Sequence, residues 1–184
     1  MLTDNLIQIA GIIDEAEADM LVGCGVRYLG FPLRLPVHSE DLTEDSAARI
    51  IARLAPPCYG VLITYLDDAR AIHDFAHQLG ARIVQLHGDV APRQLKALKL
   101  MDSGLVVIKS LVVGMHAQAK LEEDVERLAP YVDAFLIDTF DPTTGASGAT
   151  GRTHDWSTSR ALVEISTRPV ILAGGLTPEN VRRA

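Results

Sequence analysis

The stretch PVILAGGLTPENV, residues 169–181, decides the fold. A short aliphatic run ends in two glycines, and a threonine and a proline then open a helical pattern. Thr177 reads as the N-cap, whose hydroxyl accepts an orphan backbone N–H, and Pro178 as the first helical residue, which has no N–H to lose. A buried strand that turns through glycine into a helix is the repeating unit of a parallel α/β protein. Glycines beside a helix N-terminus also leave room and partial positive charge for a phosphate. The plainer alternative is a tight turn followed by a capped helix.

The same alternation runs outward from this stretch to the N-terminus. Short Val-, Ile- and Leu-rich runs occur at LIQIA (6–10), VRYLGF (26–31), YGVLIT (59–64), RIVQL (82–86), LVVIK (105–109), AFLID (134–138) and PVILA (169–173). They lack polar alternation, as expected of strands covered on both faces. Amphipathic stretches such as DEAEADMLVGCG (14–25) and DDARAIHDFAHQLG (67–80) separate them, opening on acidic residues and closing on glycine, the charge and conformational signals of helix ends. Repeated βα units predict parallel strands with right-handed crossovers. The order fits a (β/α)8 TIM barrel, one domain over residues 1–184, with a doubly wound sheet as the alternative. The pattern stops after seven strands, so the eighth βα unit is expected to be missing from this chain.

Composition narrows the function. The 184 residues are 48% hydrophobic with a net charge of −7, which suits a packed core and argues against a nucleic-acid surface. Cys24 and Cys58 have no metal-ligand spacing, so no metal or other cofactor is expected, and reduced thiols suit a cytoplasmic protein. The N-terminus lacks the basic and apolar regions of a signal peptide. The most apolar run, LVVIKSLVVGM (105–115), is interrupted by Lys109 and is far short of the roughly 20 residues a membrane span needs.

In a barrel, chemistry collects at the carboxyl ends of the strands. Those ends here carry Ala10, Thr64, the HGD of residues 87–89, Lys109 and Ser110, Asp138, and the GGL of residues 174–176. Asp138 closes an apolar strand, where desolvation favours the protonated form and suits a general acid; capping the following loop is the alternative. His87 reads as catalytic or as a structural imidazole bonded to loop backbone. Lys109 faces either an anionic substrate or a neighbouring carboxylate inside the barrel. The loop TTGASGATGRTHDW (143–156) is rich enough in glycine for close backbone approach to a phosphate, or for a lid. Both cysteines precede strands and belong to the opposite end.

Taken together, VQLHGD (84–89), LIDT (136–139), GATGRTHDW (148–156) and LAGGLTPENV (172–181) resemble the phosphoribosylanthranilate isomerase family in order and spacing. The resemblance implies an Amadori rearrangement of an aminoaldose phosphate, part of tryptophan biosynthesis. In it a general acid opens the sugar ring and a general base removes the C2 proton. Asp138 matches the family's acid. Gly151, Arg152, Gly174 and Gly175 are the expected phosphate and substrate contacts, with His87 and Lys109 beside them. The family's base is a cysteine ending strand one in a Lys-Ile-Cys-Gly pattern, and this chain has Gln8-Ile9-Ala10-Gly11.

A methyl group cannot take a proton. The loop after strand two also departs from the family: RLPVHSEDLTED (34–45) places Glu40 where an arginine meets the anthranilate carboxylate. Arg34 lies six residues earlier and compensates only if the loop is rearranged. His38, in the same loop, is the best substitute base, because an imidazole titrates near neutrality; a solvated loop histidine is the alternative. The expectation is an isomerase-type enzyme on a phosphorylated sugar-like substrate, monomeric or homodimeric, with no nucleic-acid or membrane partner. Related enolisation or carbon–carbon cleavage stays open. So does a catalytically silent relative that binds a phosphorylated metabolite or serves as a partner subunit.

Overall fold

A computed structural model describes residues 2–3, 5–36, 39–145, 148 and 150–184. The chain falls into two compact units, Met1–Val107 and Ile108–Ala184. In each, strands and helices alternate and every strand pair is parallel. Among the described residues no helix is long and apolar enough to cross a membrane.

The first unit holds β1 (Gln8–Ala10), α1 (Glu15–Gly23), β2 (Tyr28–Pro32), α2 (Glu44–Arg53), β3 (Tyr59–Thr64), α3 (Ala69–Leu79), β4 (Ile83–Leu86) and α4 (Pro92–Met101). Its strands pair in chain order, without the reversal a doubly wound sheet requires. One register row runs Ala10, Gly30, Val61, Ile83, and Ile63 stands beside Gln85 a step further on. Gln8 Nε2 donates to Gln85 Oε1 at 2.8 Å, joining the first strand to the fourth. Strands lie about 4.8 Å apart, so in a flat sheet these side chains would stand out of reach; the sheet of this unit curls until they meet. Helices α1 and α3 begin where expected, with Asp14 and Asp68 accepting from the Glu17 and Ala71 N–H groups, and α2 begins after Thr43, which accepts from the Ser46 N–H. The left-handed Gly80 closes α3. Cys24 and Cys58 sit just before β2 and β3, at the amino ends of the strands.

The second unit carries β5 (Val106–Val113, its first two residues in the other unit), α5 (Gln118–Leu128), a 3-10 turn (Ala129–Tyr131), β6 (Ala134–Thr139), α6 (Trp156–Ile165) and β7 (Val170–Leu172). Its strands also pair in chain order. All six residues of β6 are buried, which explains why that stretch shows no polar alternation until Asp138.

Two sequence expectations need correction here. Strand five does not end at Lys109 but runs on to Val113, so Lys109 and Ser110 lie mid-strand and buried; the apolar residues Leu111, Val112 and Val113 continue the ladder with β6. The helix expected from Thr177 is a series of turns, with Asn180 and Val181 N–H groups on Thr177 O and Arg183 N–H on Asn180 O. Thr177 stands at the head of these turns, with its own N–H donating to Asn180 Oδ1 at 2.8 Å, the back-bond of a capping box.

Candidate functional site

Asp138 and Thr139 end β6 side by side, and both are buried. Asp138 Oδ1 accepts the Thr139 N–H at 2.7 Å. The Thr139 hydroxyl meets His154 Nδ1 at 2.8 Å, and His154 Nε2 meets the hydroxyl of the buried Ser159 on α6 at 2.5 Å. A hydroxyl both donates and accepts, so either neutral tautomer of His154 is satisfied. Burial lowers the His154 pKa, against the opposing pull of the Asp138 and Asp155 charges. His154 therefore ties the long loop after β6 back to β6 and forward to α6. Asp155 takes the Ser157 N–H as N-cap of α6, and those hydrogen bonds hold its carboxyl below the usual range.

The two glycine motifs meet. Gly174 (φ +88) and Gly175 (φ +58) have left-handed backbone conformations, which side chains disfavour. A Cβ on Gly174 would stand 2.2 Å from Thr139 Oγ1 and 3.1 Å from Arg152 O. On Gly175 it would stand 2.6 Å from Arg152 C, 2.8 Å from Thr153 N and 2.9 Å from Gly151 O. Backbone 151–153 thus packs directly on the two glycines, next to the β6 end. Arg152 is anchored: its Nε lies 3.3 Å from Asp141 Oδ2 and its Nη2 lies 3.4 Å from Thr143 Oγ1. Asp141 is buried and its other oxygen accepts from Thr143 N and Oγ1, the bonds that chiefly hold its carboxyl below the ordinary range, with Arg152 adding to them. Exposed backbone, a guanidinium and an acid carboxylate in one cluster suit an anion with a protonatable atom beside it.

Lys109, 6% exposed, directs Nζ to Ser110 O at 2.5 Å. His87 follows β4 and stacks on Tyr65 with centroids 5.3 Å apart, its N–H on Thr64 O. His38 lies outside the described residues.

In the first unit Ala10 is exposed at the end of β1. After β2, Arg34 is held from several sides. Arg34 N–H donates to Glu40 Oε1, and its guanidinium holds Glu44 at 2.8 and 3.2 Å while lying 3.6 Å from the centre of the Phe75 ring. Glu40 is therefore a loop clasp, and Arg34 is already paired. Asp41, next along, reaches back to β1: a Cβ on Gly11 (φ +83) would stand 3.5 Å from Asp41 Oδ2.

Sequence reasoning missed Thr139, His154, Ser159 and Asp141 in the second unit and Gln8, Gln85 and Asp41 in the first. His154 and Asp141 flank the glycine-rich loop, and a histidine in such a loop was the available signal. Nothing local marks the long-range approach of Asp41 to Gly11. Among the described residues, no group of three or more His, Cys, Asp or Glu is placed to hold a metal ion.

Comparison with known proteins agrees with this geometry. The sequence model of N-(5'-phosphoribosyl)anthranilate (PRA) isomerase matches residues 8–184. N-(5'-phosphoribosyl)anthranilate isomerase 2 of Methanosarcina mazei is 38% identical over 183 residues, covering 97% of this chain and 78% of the relative. The crystal structure of phosphoribosyl anthranilate isomerase from Thermus thermophilus superposes with a TM-score of 0.78 at 25% identity, over 96% of this chain and 80% of the other. A further solved phosphoribosyl anthranilate isomerase, in complex with reduced 1-(o-carboxyphenylamino)-1-deoxyribulose 5-phosphate, gives 0.72 at 28% identity, over 96% and 78%. The fold class is the α/β barrel of these enzymes, with seven of its strands in this chain. The chain belongs to the phosphoribosylanthranilate isomerase family and is a barrel enzyme of the isomerase class.

Proposed function

We propose that the chain isomerises phosphoribosylanthranilate, with Asp138 as the general acid and the phosphate held by backbone N–H groups of Gly174, Gly175 and the Gly151–Thr153 loop, aided by Arg152. The observation that carries this is the packing of residues 151–153 on Gly174 and Gly175, with Thr139 between them and Asp138. A relative of the family binds a reduced carboxyphenylamino deoxyribulose phosphate, which combines a phosphate with the anthranilate carboxylate. His87 and Lys109 play supporting parts, the first as a stacked wall residue and the second as a fixed positive charge. Steady-state turnover of phosphoribosylanthranilate by the purified chain tests the reading, and Asp138→Asn must abolish most of it. Lack of turnover by the unaltered chain would overturn it.

Ala10 favours a second reading. Without the family's thiol at the end of β1, and with Arg34 bound to Glu44, the chain also suits binding of a phosphorylated sugar without turnover. Binding of the reduced product analogue by a chain with no isomerase activity would select it. His38, the substitute base expected from the sequence, lies outside the described residues.

A further inference from the structure

The phosphate contacts proposed above are backbone groups, and backbone N–H groups bind an anion only where their segment is held in place. Residues 151–153 lie backbone to backbone on Gly175: a Cβ there would stand 2.6 Å from Arg152 C and 2.8 Å from Thr153 N. On one side the segment is moored through the half-exposed Arg152 guanidinium, 3.3 Å from Asp141 Oδ2 and 3.4 Å from Thr143 Oγ1. Contacts of that length are at or beyond the ordinary range of a hydrogen bond. On the other side stands His154, and its bonds are short. Nδ1 meets the Thr139 hydroxyl at 2.8 Å and Nε2 meets the Ser159 hydroxyl at 2.5 Å, and both partners are buried. The Thr139 hydroxyl has a second neighbour: it lies 2.2 Å from where a Cβ on Gly174 would be. One hydroxyl thus touches the glycine pair and, through the imidazole, the segment packed on that pair. Ser159 fixes only the far edge of the ring, on α6. All of these residues belong to the second unit.

We infer that His154 is a positioning residue for the phosphate: its Nδ1 bond to Thr139 seats residues 151–153 on Gly174 and Gly175 where their N–H groups reach the anion. The inference rests on the phosphate site proposed above. His154 acts through Thr139 and takes no part in the proton transfers.

The two bonds of the ring can be cut one at a time. His154→Asn ends its amide near the place of Nδ1, so it keeps Thr139 and loses Ser159. His154→Gln ends near the place of Nε2 and does the reverse. Each removes one hydrogen bond, so both should lower the melting temperature by similar amounts, but only His154→Gln should weaken the site. The readouts are kcat and KM for phosphoribosylanthranilate, and Kd for the reduced product analogue and for inorganic phosphate as its competitor. We expect His154→Gln to raise KM and both Kd values at least about tenfold, with kcat within about threefold of the parent. His154→Asn should stay within about threefold on every count. Thr139→Ala breaks the same link from the strand side, and combined with His154→Gln should add little to either single loss of affinity. It also carries the test should His154→Gln fail to fold.

Equal losses of affinity in the two amide variants, tracking their melting temperatures, would reduce His154 to a structural residue and overturn the assignment. So would a His154→Gln chain that keeps its affinities, or one that loses kcat at unchanged KM, which would tie the imidazole to Asp138 instead. A parent chain that binds neither probe has no phosphate site to position, and the inference falls. A parent that binds the analogue without turning over phosphoribosylanthranilate fails the isomerase reading alone, and the affinities of the variants for the analogue and for phosphate then decide His154.

Discussion

The hydroxyl of Thr139 occupies the space into which any side chain on Gly174 would project, 2.2 Å from the Cβ position. The same hydroxyl bonds His154, so a clash there moves both glycine motifs at once. Gly174→Ala combines that overlap with a left-handed φ of +88. We expect it to cost about 2–4 kcal/mol of stability, from overpacking and backbone strain together, and to weaken binding of a sugar phosphate at least tenfold. Thr139→Ala in the same chain relieves the overlap but not the φ strain, so it should recover part of the stability. Denaturant titrations of the two single variants and the double variant check this. Additive losses would show that the two residues do not meet.

His154 makes stability depend on pH. Its folded pKa lies below the unfolded value near 6.5 because burial disfavours the imidazolium, so below that pH the unfolded chain binds the extra proton. Its contribution is full above the unfolded value and is lost as pH falls from there through the folded value. Asp141 and Asp155 act at lower pH: their carboxyls are held down, and their contributions vanish only as pH falls through the acidic carboxylate range. His154→Gln should flatten the decline in melting temperature just below pH 6.5 and leave the later carboxylate limb in place. A variant whose decline matches the parent's would show that the imidazole is not the titrating group.

Much of the fold was legible from local patterns. The run at YGVLIT matches β3 residue for residue, because strand burial on both faces leaves an uninterrupted apolar signature. The end of β5 was not legible: Lys109 and Ser110 look like a strand terminus, yet both are buried and the strand continues to Val113. A polar residue inside a curled sheet breaks the hydrophobic run without ending the strand. Past Thr177 the chain makes turns in which the Asn180 side chain joins the Thr177 N–H to Gly175 O, a bridge that no local pattern announces. In the candidate site, Asp138 and the two glycine stretches stand out as short motifs, whereas the packing of residues 151–153 on Gly174 and Gly175 and the approach of Asp41 to Gly11 come only from where distant segments land.

Asp138→Asn separates acid chemistry from binding. The amide keeps an oxygen to accept the Thr139 N–H, so the end of β6 should hold its shape. With no proton to give to the ring oxygen, kcat should fall about 10²–10⁴-fold and KM for phosphoribosylanthranilate should change little. A rise in KM equal to the loss in kcat/KM would assign Asp138 to binding instead.

Glu40 serves a structural and an electrostatic part that one substitution can divide. Its carboxylate accepts the Arg34 N–H, which ties the segment after β2, and the family resemblance sets its negative charge where a substrate carboxylate is expected. Arg34 does not offset that charge, because it is held by Glu44 and Phe75, contacts worth together roughly 1–2 kcal/mol at an exposed site. Glu40→Gln keeps an acceptor for Arg34 and removes the charge. We expect KM for phosphoribosylanthranilate to fall by up to about tenfold, the equivalent of about 1.4 kcal/mol, with kcat within about twofold of the parent. The gain should shrink as salt is raised, since exposed charges are screened over about 8 Å at physiological ionic strength. Glu40→Ala removes acceptor and charge together and should also cost stability, because the Arg34 N–H loses its partner. Kinetics of both variants at low and high salt decide the matter: a Glu40→Gln chain with unchanged KM at either salt concentration would mean that the Glu40 charge does not face the substrate, and that this carboxylate serves the loop alone.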